Sequence, residues 1–396
     1  MRKLSLFGVT CAMWFFLFEI IGRFLYPFGD EPDFIARAPS LIFEDHSWVN
    51  PYYWLEGLLE RLDYAPSCSI VASPFSFGAQ IDPLSCSESL SQVITRIFIT
   101  AVVCFPVVFI ICFARNEREG SRRSWVLNYE GQRAEALALA LLLPGITYSL
   151  GVLADEQLVL VLSLLVIMTD RRWIATAVLL LAILAVDFGN GVVVTAVVVF
   201  LNGYRQISKF VSIRMIFLIA VTQATMALVA GIAFIGFLSN ISFLADKADA
   251  IYTAVSSGDL IEKYPVYLRP AITFMTGVFM TPSFTKIVPA FLILGGGLFF
   301  ALRKLRVVYA NCEKEKINGS YIIDGRRERI VDCCSVAATV LLFIFLIPTY
   351  SNAKYYLFVV PFLMRAILMV TPRRRIMMVL NCSQAVVFAG LFLYRQ

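Results

Sequence analysis

MRKLSLFGVTCAMWFFLFEIIGRFLY, residues 1–26, decides how the rest of the chain must be read. A basic tip precedes an apolar run that is long enough to cross a bilayer, which takes about 20 residues of helix. No small-x-small cleavage site follows the run, so it reads as an uncleaved first helix and not as a secretory leader. Runs of the same kind recur to the C-terminus. The 396 residues are 59% hydrophobic and 16% charged, against about 25% charged in an ordinary soluble domain. Mean hydropathy is +0.77. Water would not hold so much apolar surface, and the runs are helix-length, not alternating ten-residue segments. The composition therefore predicts an all-α integral membrane protein, one membrane-embedded domain over residues 1–396.

About eleven spans (ten to twelve) can be drawn. They fall at 4–26, 94–114, 134–152, 157–169, 173–187, 190–204, 214–238, 286–302, 331–348, 355–371 and 376–393. Those between 157 and 204 are short and are expected to be thin, broken or re-entrant. With the N-terminus in the cytoplasm, most of the 34 Lys and Arg lie inside. Examples are Arg122 and Arg123, Arg171 and Arg172, Arg205 and Lys209, Arg303 and Lys304, and Arg373 to Arg375. That is the positive-inside bias. The net charge of +6 thus reports orientation, with no nucleic-acid partner implied. The basic segment 303–332 reads as a solvated cytoplasmic connector that also meets anionic lipid.

Two long loops, 27–93 and 239–285, then lie outside. In the first, WVNPYYWLEGLLERLDY at 48–64 has an apolar face with Trp48 and Tyr52, and Pro51 suits its first turn. It reads either as a helix on the outer membrane surface or as one packed on the bundle. Of nine Cys, only Cys68 and Cys86 fall in an outside loop, flanking a Pro- and Ser-rich stretch. A disulfide between them would brace it in an oxidising compartment. The single His, His46, excludes a histidine-rich metal cage, and no metal site is assigned. The hard carboxylates Asp30, Glu31 and Asp33 leave Mg²⁺ or Mn²⁺ open.

The topology gathers polar residues at the outer ends of the spans. Asp30 and Glu31 follow the first span, in which Glu19 and Arg23 are spaced for an i, i+4 pair. Asp155 and Glu156 lie between spans three and four. Asp187 lies between five and six. Lys354, Tyr355 and Tyr356 precede span ten, and Lys263 and Arg269 lie in the second long loop. Each loop acid taken singly reads as a solvated residue. The Asp30-Glu31 pair is different, because it follows on Glu19 and Arg23 near the outer end of the first span. Ionisable residues at that depth face a protein interior or a wet cavity, with Asp30-Glu31 at its mouth.

An acidic pair directly after the first helix, Asp30-Glu31, resembles the GT-C superfamily of membrane glycosyltransferases. SNAKYYLFVVPFLMRA at 351–366 is similar to the basic-Tyr…Pro element of that superfamily, with Lys354 where Arg is commoner. The layout looks most like enzymes that modify O-antigen after export. The resemblance implies a GT-C-like bundle with juxtamembrane helices in its outer loops. It implies transfer of one sugar from a polyprenyl-phosphate donor to a glycan or lipid-linked glycan acceptor, with inversion, at the periplasmic face of a bacterial inner membrane. Asp30 or Glu31 would be the base. Lys354, Arg269, Lys263 and Arg96 would hold the donor phosphate. Asp155, Glu156, Tyr355, Trp48 and Tyr52 would meet acceptor or sugar. Two other readings compete. A polysaccharide polymerase would lean on outside arginines, which are few here. A lipid-linked sugar transporter or flippase would show mid-span charges and a pseudo-repeat.

The loop brace is open to direct test. Non-reducing peptide mapping is expected to recover a Cys68–Cys86 linked peptide, and two free thiols there would remove it.

Overall fold

The computed structural model describes residues 4–25, 70–72, 79–81, 89–113, 131–169, 172–238, 316–317, 320–321, 325–346 and 350–395, with isolated positions between 270 and 278. Asp30, Glu31, Trp48, Tyr52, Cys68, Cys86, Lys263 and Arg269 lie outside the described residues. The chain divides into two compact units, 1–192 with 377–396, and 193–376, where the sequence reading has one domain. Among the described residues four helices are long and apolar enough to cross a membrane, or five if one bent pair counts as a span.

In the first unit, α1 (Leu6–Leu25) runs beside α2 (Leu90–Phe113). Ser5 caps α1, its Oγ accepting from Gly8 N at 3.2 Å. Ser5 N in turn donates to Cys112 O at 2.6 Å, which fixes the pair as antiparallel. Gly8 is needed at this crossing, since a Cβ there would collide with the carbonyl of Ile111. A reciprocal capping box opens α2: Ser89 N donates to Gln92 Oε1 at 2.8 Å and Gln92 N to Ser89 Oγ at 3.3 Å. A short antiparallel hairpin, β1 (Ile70–Ala72) and β2 (Ala79–Ile81), lies between the two helices in sequence, with Ile70 opposite Ile81.

The exposed side of α2 is apolar, unlike that of a soluble helix. Arg96, Thr100 and Cys104 are buried, Arg96 with 0% exposure, whereas Ile94, Phe98, Val102 and Phe105 are exposed, Phe98 by 65%. The buried side also holds Ile99, Val107, Ile110 and Ile111. What the helix shows is an exposed apolar face with its one charged group turned inward, which a hydrocarbon solvent favours.

The third expected span, 134–152, is two helices: α3 (Gly131–Ala140) and α4 (Pro144–Gly151), bent by 78°. Pro144 has no N–H and its ring excludes a continuous helix. Beyond the break Leu143 O accepts from Thr147 N at 2.9 Å, while Leu141 O and Leu142 O are met by side chains. All three leucines are buried, out of reach of solvent. Thr147 Oγ1 lies 2.8 Å from Leu141 O and 3.1 Å from Leu143 O. Gln384, from α11 (Arg373–Arg395), donates through Nε2 to Leu142 O and to Thr147 Oγ1, both at 2.9 Å.

Next come α5 (Asp155–Thr169), α6 (Trp173–Val186) and α7 (Phe188–Ile207). The α5–α6 turn is closed by Thr176 Oγ1 donating to Thr169 O at 2.7 Å. The α6–α7 turn is closed by Asp187, whose Oδ1 accepts from Asn190 N at 3.1 Å and Oδ2 from Asn190 Nδ2 at 2.7 Å. Gly191 admits the side of Leu184. Asp187 is therefore a helix cap, the role that Asp favours at such positions.

In the second unit, α8 (Ile213–Leu238) packs along α9 (Gly325–Leu346). Tyr204, Ile216, Ala220, Val331 and Ala338 form their core. A hairpin of β3 (Lys316–Ile317) and β4 (Ser320–Tyr321) precedes α9 in sequence. The 3₁₀ turn Tyr350–Val359 runs into α10 (Val360–Leu368), with Pro361 in the first helical turn. Because α9 begins at Gly325, it takes in the last residues of the segment read as a solvated connector, and Arg327 and Asp332 are buried. Asp332 joins three helices. Arg205 of α7 approaches its carboxylate at 2.7 and 2.8 Å, and Arg365 of α10 at 3.0 Å. Glu328, one turn away on α9, lies 3.9 Å from each guanidinium.

Two arginines around one buried carboxylate cannot be left without it cheaply. Asp332→Asn is expected to destabilise the second unit by about 3 kcal/mol, the usual cost of removing one partner from a buried ion pair. Thermal unfolding in detergent should report the loss. An unchanged melting temperature would mean that Asp332 holds nothing together.

Candidate functional site

One group of the first unit's buried polar side chains, Glu19, Arg96, Thr100 and Gln157, falls where the sequence reading sets the outer ends of α1, α2 and α5. On α1, Cys11, Phe15 and Glu19 follow one another at four-residue spacing and are all buried, while Met13, Trp14 and Leu17 on other sides are exposed. Periodicity alone thus turns Glu19 inward, with 6% exposure. Its carboxylate lies against Gly151, the last residue of α4, where any Cβ would occupy the position of Glu19 Oε2. A glycine here lets a carboxylate rest on the backbone.

The other wall comes from α2. Arg96 and Thr100 are one turn apart and buried. Gln157 of α5, with 0% exposure, reaches Thr100 Oγ1 at 3.4 Å and donates to Leu150 O at 2.6 Å. The segment Leu150–Gln157 is therefore held by side chains from within the bundle. Ala154 O accepts from Gln157 N at 2.8 Å, which starts α5. Asp155 and Glu156 occupy the first turn of that helix, where carboxylates suit the macrodipole. Glu156 is half-buried.

Of the expected site residues, Arg96 lies one turn from Thr100 on α2, and Asp155 and Glu156 directly precede Gln157 on α5. The Gln157–Thr100 contact ties these two helices together. Tyr355 belongs to the second unit and is half-buried beside the buried Tyr356. Lys354 falls within the 3₁₀ turn. The Glu19–Arg23 pair read from the sequence involves a side chain, that of Arg23, outside the described residues. Glu19 itself rests on Gly151. Thr100, Gly151 and Gln157 escaped the sequence reading. The one available signal was a glutamine directly after two acids and ahead of a continuous apolar run.

Chemically, a guanidinium keeps its charge inside a protein and recognises planar or tetrahedral oxyanions. Carboxylates on an adjoining turn suit hydroxyl groups. No three His, Cys, Asp or Glu side chains converge among the described residues. The carboxylates that suit a divalent cation, Asp30, Glu31 and Asp33, lie outside them. Comparisons with family models, curated proteins and solved structures find no match for this chain.

The seat of the turn can be tested through Gln157. Gln157→Leu removes the donor to Leu150 O and leaves that buried carbonyl unsatisfied, a cost of about 1–3 kcal/mol. The variant is expected to melt earlier in detergent. Equal stability would show that the contact is dispensable.

Proposed function

We propose that the chain is a membrane glycosyltransferase of GT-C type, which moves one sugar from a polyprenyl-phosphate donor to a surface-glycan acceptor. In this reading the bundle has about eleven spans, sits in a bacterial inner membrane with its N-terminus in the cytoplasm, and works at the periplasmic face. The observation that carries the proposal is Arg96: a guanidinium with 0% exposure on a helix whose other side is apolar and exposed. A buried guanidinium at the outer end of an apolar helix suits a lipid-borne phosphate, whose tail stays in hydrocarbon between helices. The neighbouring turn with Asp155 and Glu156 supplies acceptors for sugar hydroxyls.

The reaction is a single displacement. The acceptor hydroxyl oxygen attacks the anomeric carbon as the bond from that carbon to the phosphate oxygen breaks, and the configuration inverts. Asp30 or Glu31 takes the hydroxyl proton. The polyprenyl phosphate leaves with the electron pair, its growing charge met by Arg96. Lys354, Arg269 and Lys263 are the other cations that the sequence offers for that role. Tyr355, Trp48 and Tyr52 offer faces for sugar stacking. Where Mg²⁺ or Mn²⁺ takes part, the first-loop carboxylates are the donors with the right chemistry.

Purified protein in lipid, given single polyprenyl-phosphate sugars and a glycan acceptor, tests this. Asp30→Asn is expected to lower transfer by at least about 100-fold, the low end of what a general base contributes, in a protein that still folds and inserts. Arg96→Gln is expected to lower transfer with the inserted fold kept. Near-normal transfer by Asp30→Asn would remove it as the base. Chain extension from lipid-linked oligosaccharide, without single-sugar transfer, would make the protein a polymerase.

A further inference from the structure

The α7–α8 turn, QISKFVSIR at 206–214, is built more firmly than a plain connector needs. Ser208 N donates to Tyr204 O at 2.8 Å, and Phe210 N and Val211 N both donate to Ile207 O, at 3.0 and 3.2 Å. Ser208 Oγ donates to Arg205 O at 2.7 Å. From beneath, the buried Arg327 of α9 donates through Nη2 to Ser208 O at 2.8 Å and Val211 O at 2.6 Å. A pinned turn fixes what it displays. Phe210 stands out with 72% exposure, flanked by Lys209 and Arg214, both exposed. Lys209 Nζ is steadied by Gln206 Oε1 at 2.7 Å.

In water this display would be unfavourable, because a rigid turn holds out a phenyl ring with nothing to cover it. At a membrane surface it is favourable. Aromatic rings settle at headgroup level and basic side chains beside them attract anionic lipid. The exposed apolar residues continue along α8 through Met215, Leu218, Val221 and Met226. Met215 to Met226 covers roughly 17 Å of helix at 1.5 Å per residue, about the depth of one leaflet of hydrocarbon.

We propose that this turn and the adjoining stripe of α8 form a binding site for an anionic phospholipid. The phosphodiester lies between Lys209 and Arg214, the ring of Phe210 rests at the glycerol level, and an acyl chain follows α8. The site faces the leaflet on the basic side of the chain, and it does not depend on the glycosyltransferase reading.

The test uses the full chain in phosphatidylcholine bilayers and compares the association of spin-labelled phosphatidylglycerol with that of spin-labelled phosphatidylcholine. Wild type should prefer the anionic lipid. Lys209→Gln with Arg214→Gln should reduce that preference at least about fivefold, the factor expected for one cation near a charged surface. Arg374→Gln with Arg375→Gln removes two exposed cations from another basic turn and should leave the preference within about twofold if the site is local. Equal association of both lipids with wild type, or an equal loss in both double variants, would overturn the proposal. Wild type alone gives a second test should the variants fail to insert. A photoreactive phosphatidylglycerol should label residues 206–215, and labelling confined to other segments would overturn the site.

Discussion

Hydrocarbon offers no hydrogen bonds, and that one constraint organises everything described above. Each polar group carried into the bundle must find its partner in the protein. The break between α3 and α4 shows the constraint at its sharpest. Leu143 O keeps the helical N–H of Thr147, while Leu141 O and Leu142 O take side chains instead, the Thr147 hydroxyl and the Gln384 amide. The charged cluster around Asp332 obeys the same rule with ions: two guanidinium groups and two carboxylates from three helices are balanced among themselves. Small residues obey it sterically. Gly8 and Gly151 lack side chains where a neighbouring carbonyl or carboxylate must come close.

The candidate site exploits what the constraint makes expensive. Arg96 and Glu19 are groups that a purely structural bundle would avoid, because an ionised side chain loses its hydration on burial. Their placement against Gly151, Thr100 and Gln157 sets fixed charge beside a turn that carries two more carboxylates. Ordered polar groups in a low-dielectric setting act more strongly on charge in a bound molecule than the same groups in water.

How much of this could be read from residues alone depended on the range of the interaction. Helix identity was legible, because the apolar runs read at 94–114 and 190–204, found as helices Leu90–Phe113 and Phe188–Ile207, are local properties of composition. Arg96, Asp155 and Glu156 were legible as candidates, because a charge at the end of an apolar run is conspicuous. The contacts between distant segments were not. Gln384 on Leu142 and Arg365 on Asp332 join residues that no periodicity connects. The break at Pro144 was read through as one span, because the leucines before it keep the run hydrophobic. Asp187 stood out as an acid at an outer end, yet its carboxylate is used by Asn190 three residues on. The seat of Glu19 was hidden for a related reason, since a glycine gives no signal of what rests on it.

The bond between Gln384 and Leu142 O spans 242 positions of the chain. A ribosome adding 5–20 residues per second needs roughly ten to fifty seconds to travel from one to the other. Throughout that interval the bent pair α3–α4 waits with the carbonyl of Leu142 lacking the amide that later meets it. The nascent chain must therefore keep that segment wet, or shelter it against a helper, until the final helix arrives. Losing even the last few turns of the protein would strand an early segment in the wrong solvent, far from the place where the chain was cut.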